Sequence, residues 1–176
     1  MTGQQFYDWQ TAGGAGDVAL LVETLAKLDV PWCMIGGLAV NHWAEEPMAT
    51  ADVDLVVALG AVDETVAAME AVGFVAERFE GSVNLKGHSK VSVQISTEEF
   101  YREFPGRSIP ADIHGISMRV ASLEDTLCGK VQAWRDPDRR RSKRQKDLTD
   151  ILRLIEAHPE VEPALPPDVQ QKINQA

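Results

Sequence analysis

The chain has 176 residues and a formal net charge of −10 at pH 7, with 44% hydrophobic and 25% charged residues. This composition is ordinary for a soluble globular protein, and the length predicts one domain with its own core, with or without a helical extension. The acidic balance argues against a general nucleic-acid coat protein, and no apolar run approaches the roughly 20 residues that cross a bilayer.

The N-terminus and the cysteines indicate the expected compartment. Residues 1–14 end in Thr-Ala-Gly-Gly and contain no apolar signal core, which predicts a flexible N-terminus. Cys33 and Cys128 lie far apart in apolar stretches, which predicts buried thiols and not a disulfide or a zinc framework. We therefore expect a cytoplasmic protein with no membrane partner.

Apolar periodicity and turn residues predict the secondary structure in chain order. Helices are expected at 17–28, 38–44, 62–72, 97–101, 122–134, 143–157 and 168–174. Strands are expected at 32–35, 53–58, 74–75, 82–86 and 90–95, with one or two more within 107–120. The order predicts an α/β (α+β) fold in which a mixed β-sheet is flanked by helices. We expect a core over residues 15–120 and a C-terminal helical segment over residues 121–176 that packs on it.

A glycine pair stands where the first predicted strand ends and the next helix begins. Gly36 and Gly37 allow unusual torsions and close approach of a ligand, and helix amides beside them form a natural phosphate seat. A tight strand-to-helix turn without a ligand explains the pair equally simply.

Two aspartates open the second strand. Asp52 and Asp54 are two residues apart, so their side chains point to the same face of the strand while Val53 points to the other. Like charges this close repel unless a cation lies between them, and Mg²⁺ prefers a few carboxylate oxygens together with substrate phosphates. The alternative is a pair of solvated acids at a strand start, although aspartate is disfavoured in strands.

A basic run lies late in the chain. Seven of the 17 basic residues fall between Arg135 and Lys146, which marks either a solvated loop and helix start or a contact with phosphate or nucleic acid.

Two segments together carry a resemblance to a known family. The first holds Ile35-Gly-Gly-Leu-Ala-Val-Asn-His-Trp43 and Thr50-Ala-Asp-Val-Asp-Leu-Val-Val57; the second holds Val120-Ala-Ser-Leu-Glu-Asp125, Lys130 and Lys146-Asp-Leu-Thr-Asp150. Over roughly residues 18–157 the chain resembles the polymerase-beta-like nucleotidyltransferase superfamily, in its subgroup of bacterial AbiEii-toxin-like proteins and minimal antibiotic nucleotidyltransferases. The resemblance implies a nucleotidyltransferase-type fold for the core.

The resemblance also implies roles for individual residues. The implied nucleotide-binding residues are Gly36, Gly37, Thr50, Lys130, Lys146 and Asp147. The implied metal ligands, for Mg²⁺ or Mn²⁺, are Asp52, Asp54 and Gln94. The implied catalytic residues are Asp52, Asp54 and Lys130. Lys130 would contact phosphate, and Asp147 or Lys146 would close the site or orient that lysine.

Two positions depart from the subgroup's pattern. Met48 stands where an arginine is usual, and Gln94 stands where a third acid is usual. An amide can coordinate a metal but cannot act as a base, so two acids suffice, another acid such as Glu77 or Glu80 substitutes, or catalysis has been lost.

Three functions follow as hypotheses. The first is transfer of a nucleotidyl group from an NTP to a hydroxyl of RNA or a small molecule with Mg²⁺. The second is a catalytically degenerate relative that binds a nucleotide or a cognate toxin or antitoxin partner. The third is an RNA-contacting module that uses residues 139–146.

Overall fold

A computed structural model describes residues 13–50, 52–113 and 115–175 of the chain. Most of the predicted flexible N-terminus lies outside the described residues, so that prediction stays open. The helices are α1 (Ala15–Leu28), α2 (Gly36–Trp43), α3 (Val62–Ala71), α4 (Phe104–Arg107), α5 (Leu123–Arg135), α6 (Arg141–Ala157) and α7 (Pro167–Ile173). The strands are β1 (Trp32–Ile35), β2 (Asp52–Val57), β3 (Val75–Phe79), β4 (Ser82–Lys86), β5 (Ser92–Ser96), β6 (Ile109–Ile113) and β7 (Ile116–Val120). Three short 3-10 helices lie at Leu59–Ala61, Glu99–Tyr101 and Pro159–Ala164.

The seven described strands form one mixed sheet in the order β3-β4-β5-β2-β1-β7-β6. At its centre β2 runs antiparallel to β1 and parallel to β5, and β1 runs parallel to β7. The remaining neighbours, β3 with β4, β4 with β5 and β6 with β7, are antiparallel. The α/β (α+β) fold with a mixed sheet flanked by helices is confirmed.

Two large hydrophobic clusters form most of the core, and a third, smaller one packs α4 on β1 and β2. In the larger one, α1 and α3 bury apolar side chains such as Leu21 and Met69 against alternate sheet residues such as Val53, Leu55 and Val93. The second cluster lies among α2, α5, α6 and the chain that follows α6. The polar face of β2 is therefore turned toward the α5–α6 layer. The site lies between this face of the sheet and the two helices.

Most predicted elements agree with the observed ones except at their ends, but the helix predicted at 97–101 is a 3-10 helix at Glu99–Tyr101, and α4 was not predicted. Helix α2 begins at Gly36, two residues earlier than predicted, because the glycine pair itself forms the first turn. The predicted strand at 74–75 is a longer strand, Val75–Phe79, and residues 107–120 hold two strands and the end of α4. Ser122 caps α5, since its side chain accepts a hydrogen bond from the Asp125 amide.

One side-chain prediction was wrong. Cys33 is buried as expected, but Cys128 is exposed because it lies on the outer side of α5. Within the described ranges, none of the helices combines the length and apolarity that crossing a bilayer requires.

Candidate nucleotide and metal site

Gly36 makes the closest approach between the glycine turn and the acid pair. Its φ is +68°, in the left-handed region that favours glycine. A Cβ atom placed on Gly36 would lie 2.3 Å from Oδ2 of Asp54. Any side chain at this position would therefore displace the Asp54 carboxylate, and the turn and the acid share one small space.

Gly37 brings two further predicted residues to the same turn. A Cβ on Gly37 would lie 3.2 Å from the Thr50 hydroxyl oxygen and 3.7 Å from Nζ of Lys146. Lys146 reaches this point from the second turn of α6, and no ion pair holds its ammonium group among the described residues. A positive charge thus lies beside the N-terminus of α2, where helix amides already favour an anion.

The acid pair and Gln94 lie on one face of the sheet. Asp52 and Asp54 are partly exposed while Val53 between them is buried, as the alternation of a strand requires. Gln94 is the register partner of Asp54 across the parallel β2–β5 pair, so the two side chains point to the same face. The geometry thus brings the predicted amide to the acid pair. Glu77 is two strands farther along the same row, through Asn84, and is exposed.

Lys143 is a basic neighbour that the sequence did not predict. Its Nζ lies 3.8 Å from Oδ2 of Asp52, and both side chains are close to half exposed. Lys143 and Lys146 are three residues apart on α6, so they share the helix face that is turned to the site. The three-residue spacing of Lys143 and Lys146 within the basic run was the only feature of the sequence that indicated the position of Lys143 at the site.

The electrostatics of Asp54 favour a cation at the pair. Burial, and after it the nearby charge of Asp52, raises the pKa of Asp54 to about 6, although Lys130, Lys146 and Arg139 act in the opposite direction. Among the residues that the structure describes, no group of three His, Cys, Asp or Glu side chains is arranged to hold a metal. Two carboxylates with a neutral amide fit Mg²⁺ or Mn²⁺ only when substrate oxygens complete the coordination, which is how proteins usually hold Mg²⁺.

Lys130 is buried in a network of ion pairs between α5 and α6. Its Nζ lies 3.1 Å from Oδ1 of Asp147 and 2.7 Å from Oδ2 of Asp150. Arg139 pairs with the other oxygen of Asp147, and Arg153 lies 2.9 Å from Oδ1 of Asp150. Both carboxylates are 1% exposed, which explains why each needs two cationic neighbours. The predicted Lys130 and Asp147 are thus brought together, with Lys130 oriented by Asp147.

Asn41 and Arg153 extend this network to the loop before β2. The Asn41 side chain accepts a hydrogen bond from the Met48 amide at 2.9 Å and donates one to the Met48 carbonyl at 2.6 Å. An Nη2 group of Arg153 donates to Oδ1 of Asn41 at 2.8 Å and also to the Glu46 carbonyl. The loop that leads to Thr50 is therefore fixed by α2 and α6. Met48 itself is exposed and occupies no place in the site.

Some of these groups line a cavity of about 280 Å³, which we call the site cavity, whereas the predicted residues Gly37, Thr50, Asp52 and Lys146 lie outside its lining. Gly36, Asp54 and Gln94 form its sheet side, and Lys130, Arg139 and Asp147 form its helical side. Glu80, at the tip of the β3–β4 hairpin, also lines the site cavity, while Glu77 does not. Of the two acids considered as substitutes for the third carboxylate, only Glu80 borders this space.

Most of the basic run is engaged within the protein. Arg135 pairs with Asp168, Arg139 pairs with Asp147, and Arg144 donates to the Trp134 carbonyl and lies over its ring. Lys143 and Lys146 face the acid pair and the glycine turn. Only Arg140 and Arg141 of the run have no such contact with a described residue, and two side chains are few for a track along nucleic acid.

Comparison with known proteins assigns a family to this arrangement. A family described as "Nucleotidyl transferase AbiEii toxin, Type IV TA system" matches residues 19–174. No curated protein sequence matches the chain closely enough to count as a relative.

Solved structures with the same fold are distant in sequence. ANT(2″)-Ia in complex with adenylyl-2″-tobramycin has a TM-score of 0.63 at 14% identity, over 91% of this chain and 96% of that chain. The lincomycin-bound lincosamide antibiotic adenylyltransferase LnuA has a TM-score of 0.55 at 11% identity, over 80% and 97%. A putative nucleotidyltransferase from H. pylori has a TM-score of 0.56 at 19% identity, over 86% and 70%. At these identities the likeness establishes the fold alone.

Proposed function

The chain belongs to the AbiEii nucleotidyl transferase toxin family, and from this premise we propose that it transfers a nucleotidyl group from an NTP to a hydroxyl acceptor, with Mg²⁺ or Mn²⁺ at Asp52 and Asp54. The observation that carries the proposal is the contact between Gly36 and Asp54. A phosphate held at the glycine turn lies beside the carboxylates that would share its metal ion.

The proposed binding roles follow from position and charge. The amides at Gly36 and Gly37 and the free ammonium group of Lys146 hold the phosphates, and Thr50 lies against Gly37 to fix the turn. Asp52, Asp54 and the Gln94 amide hold the metal ion. Lys130, paired with Asp147 and Asp150, borders the site cavity and contacts phosphate there.

The proposed reaction is a single displacement at phosphorus. The acceptor hydroxyl oxygen forms a bond to the α-phosphorus while the bond from that phosphorus to the pyrophosphate oxygen breaks. Pyrophosphate leaves with the electron pair, and the hydroxyl proton passes to water. A bound divalent ion supplies charge stabilisation on the phosphate oxygens as they react. The chain's own contribution is to align the phosphates and to exclude bulk water beneath α5 and α6.

A second candidate function is a degenerate relative that binds a nucleotide, or a cognate antitoxin of the type IV system that the family description names. The observation that favours it is Gln94, because an amide in register with Asp54 removes the third negative charge that would help to hold a second metal ion. Under either proposal the setting would be the bacterial cytoplasm, where NTP and Mg²⁺ are available.

Metal-dependent nucleotide binding and nucleotide transfer test these candidates separately. We expect labelled NTP to bind in the presence of Mg²⁺, and to lose most of its affinity in an Asp52→Ala/Asp54→Ala variant. The matched control is Asp63→Ala, which removes an exposed acid paired with Arg78 at the surface. Transfer of label to cellular RNA or to small acceptors supports the enzyme, whereas tight binding without transfer supports the degenerate relative. If NTP does not bind with Mg²⁺, nucleotide transfer and nucleotide binding are both contradicted, and only the binding of a cognate antitoxin is left.

A further inference from the structure

Lys143 contacts one of the two proposed metal ligands, yet the proposed function gives it no role. Its Nζ lies 3.8 Å from Oδ2 of Asp52, and the two side chains are 42% and 45% exposed. Because the pair is long and open to solvent, it contributes little to stability and breaks readily. The ammonium group is thus a cation that lies beside the acid pair and is free to leave it.

The position of Lys143 within α6 is unfavourable for the helix itself. Arg140, the N-cap residue of α6, makes no side-chain cap, and the first turn of the helix contains no acid. Lys143 lies in that turn, where the partial positive charge of the helix N-terminus repels a cation. An anion near Lys143 offsets this cost, so the placement indicates a contact with negative charge. Here that charge is the carboxylate of Asp52.

The other lysines near the acid pair are placed differently. Lys130 is buried and paired with Asp147 at 3.1 Å, so it is not free to move. Lys146 lies at the glycine turn, where its Nζ would be 3.7 Å from a Cβ on Gly37. Since Lys143 and Lys146 are three residues apart on α6, they share one helix face. A phosphate at the turn therefore has both ammonium groups on the same side of it.

A divalent ion at the acid pair would compete with Lys143 for Asp52. The ion and the ammonium group are both positive, and both take the same carboxylate as a partner. Without phosphate, displaced Lys143 is left in the first turn of α6 with no anion to offset the helix N-terminus. With a triphosphate at the glycine turn, it has phosphate oxygens as new partners. Displacement is thus costly in the first case and favourable in the second.

We propose that Lys143 is the counter-ion of Asp52 in the absence of a metal ion, and that it transfers to the triphosphate when metal ion and NTP bind together. Lys143 is then a positioning residue that makes each ligand strengthen the binding of the other. This inference rests on the proposed function, because it requires the metal ion and the phosphates to share the site. The coupling is reciprocal, since both ligands act on one equilibrium of one side chain.

Separate measurements of metal and nucleotide binding to the full chain test the inference. Electron paramagnetic resonance of free Mn²⁺ gives the affinity for the metal ion alone, and isothermal titration at a fixed Mn²⁺ concentration gives that for a non-hydrolysable NTP. In Lys143→Met we expect Mn²⁺ alone to bind about three-fold more tightly, because its competitor is gone. The NTP should bind about three-fold more weakly in the same variant, because one phosphate contact is lost.

The opposite directions of the two shifts distinguish this role from a structural one, since a damaged site would weaken both ligands. Lys143→Arg restores the cation and should reverse both shifts. The matched control is Lys27→Met, which removes a lysine from an exposed pair with Glu23 on α1, a helix packed on the other face of the sheet. This control should leave both affinities unchanged, so that an effect of net charge is separated from one at the site.

The outcomes separate this inference from the proposed function. If Mn²⁺ and the NTP bind to the unaltered chain but Lys143→Met does not tighten the binding of Mn²⁺ alone, the inference is overturned while the proposed function stands. It is also overturned if NTP binding does not weaken, if Lys143→Arg does not reverse the shifts, or if Lys27→Met produces the same shifts. If the NTP does not bind with Mn²⁺, the proposed nucleotide transfer is contradicted and the inference fails with it.

Discussion

At the scale of single residues, the site depends on the close packing of Gly36 against Asp54. Gly36 has no side chain because Oδ2 of Asp54 occupies the space a Cβ would need. Asp54 in turn is only partly exposed and lies beside another carboxylate, where its charge is unfavourable unless a cation is bound. The two residues depend on each other, so we expect substitutions at either position to disturb the site.

Replacing Gly36 by alanine tests the close approach. A left-handed φ and a carboxylate 2.3 Å from the new Cβ should lower the free energy of unfolding by about 1–3 kcal/mol. The displaced Asp54 should also weaken Mg²⁺-dependent NTP binding more than about ten-fold. Chemical denaturation and labelled-NTP binding measure the two effects. Gly60→Ala is the control, because no atom lies within 4 Å of the added Cβ there and no left-handed φ is involved; an equal effect in both variants would contradict the prediction.

The pKa of Asp54 predicts how metal binding depends on pH. Because Asp54 has a pKa of about 6 in the folded chain, Mg²⁺ must compete with a proton below that pH. The affinity for Mg²⁺ should therefore be constant above about pH 7 and fall about ten-fold per pH unit well below 6. Isothermal titration between pH 5 and 8 measures it, and an affinity that stays flat down to pH 5 would count against a protonated Asp54.

The same shift has a consequence for stability without metal. The folded-state pKa is raised above the ordinary value of 3.8, so the folded chain binds the proton more tightly than the unfolded chain does. The contribution of Asp54 to the free energy of unfolding should therefore fall as the pH rises from about 4 to 6, and should stay low above pH 6. Asp54→Asn should remove this cost and stabilise the metal-free chain by about 1–3 kcal/mol at pH 8, with little difference near pH 4. Urea denaturation at both pH values checks it.

At the scale of elements, α5 and α6 are joined by buried charges. Lys130 on α5 lies between Asp147 and Asp150 of α6, and all three are buried. Removing one member of such a group leaves the others with uncompensated charge in a place that water does not reach. The packing of α5 against α6, which forms the helical side of the site cavity, thus depends on Lys130.

Lys130→Met tests this dependence. The loss of the buried cation should lower the free energy of unfolding by about 3 kcal/mol or more. Lys27→Met removes an equally short ion pair at the surface, with Glu23 at 2.8 Å and both side chains mostly exposed, and should cost no more than about 0.5 kcal/mol. Equal losses in urea denaturation would show that burial of the network contributes nothing.

Helix α1 is tied to the β4–β5 turn by Asp17. The carboxylate accepts hydrogen bonds from the Ser89 amide at 2.7 Å, from the Ser89 hydroxyl and from the His88 amide at 3.2 Å. Burial alone would raise the pKa of Asp17, but these hydrogen bonds, with a smaller contribution from His88, lower it below its usual value. Gly87 is required beside it, because a Cβ there would lie 2.6 Å from the Asp17 carboxylate.

Asp17→Asn should therefore destabilise the chain in a pH-dependent way. Since the folded-state pKa is lowered, the stabilisation is complete above the unfolded value near 4 and is lost as the pH falls through the folded value. We expect a loss of about 1–2 kcal/mol at pH 7 that shrinks below pH 4. Denaturation of both proteins at pH 7 and pH 3 measures the difference; a gap that persists unchanged at pH 3 would assign the effect to packing.

The sequence predicted the elements well and their contacts only in part. Local signals were sufficient for β1 and β4, because apolar runs and turn residues lie within a few positions of each other. The pairing of Asp54 with Gln94 needed the order β4-β5-β2, which depends on how distant strands meet. The contact of Asn41 with Arg153 spans 112 positions, and no local pattern marks it.

At the scale of the whole molecule, the site lies where two packing layers meet. The cluster around α1, α3 and the sheet holds one face of β2, and the cluster among α2, α5 and α6 positions the helices over the other. Residues far apart in sequence, such as Gly36 and Lys146, reach the same point only because both clusters form. The family match over residues 19–174 spans both layers.

The account as a whole rests on one shared location for the metal ion and the phosphates. A crystal structure soaked with Mn²⁺ and a non-hydrolysable NTP, with anomalous scattering collected for manganese, tests it most directly. We predict a manganese peak between Asp52 and Asp54, with triphosphate oxygens on the amides of Gly36 and Gly37 and near Lys146. A manganese peak away from the acid pair, or a triphosphate bound away from the glycine turn, would contradict the account.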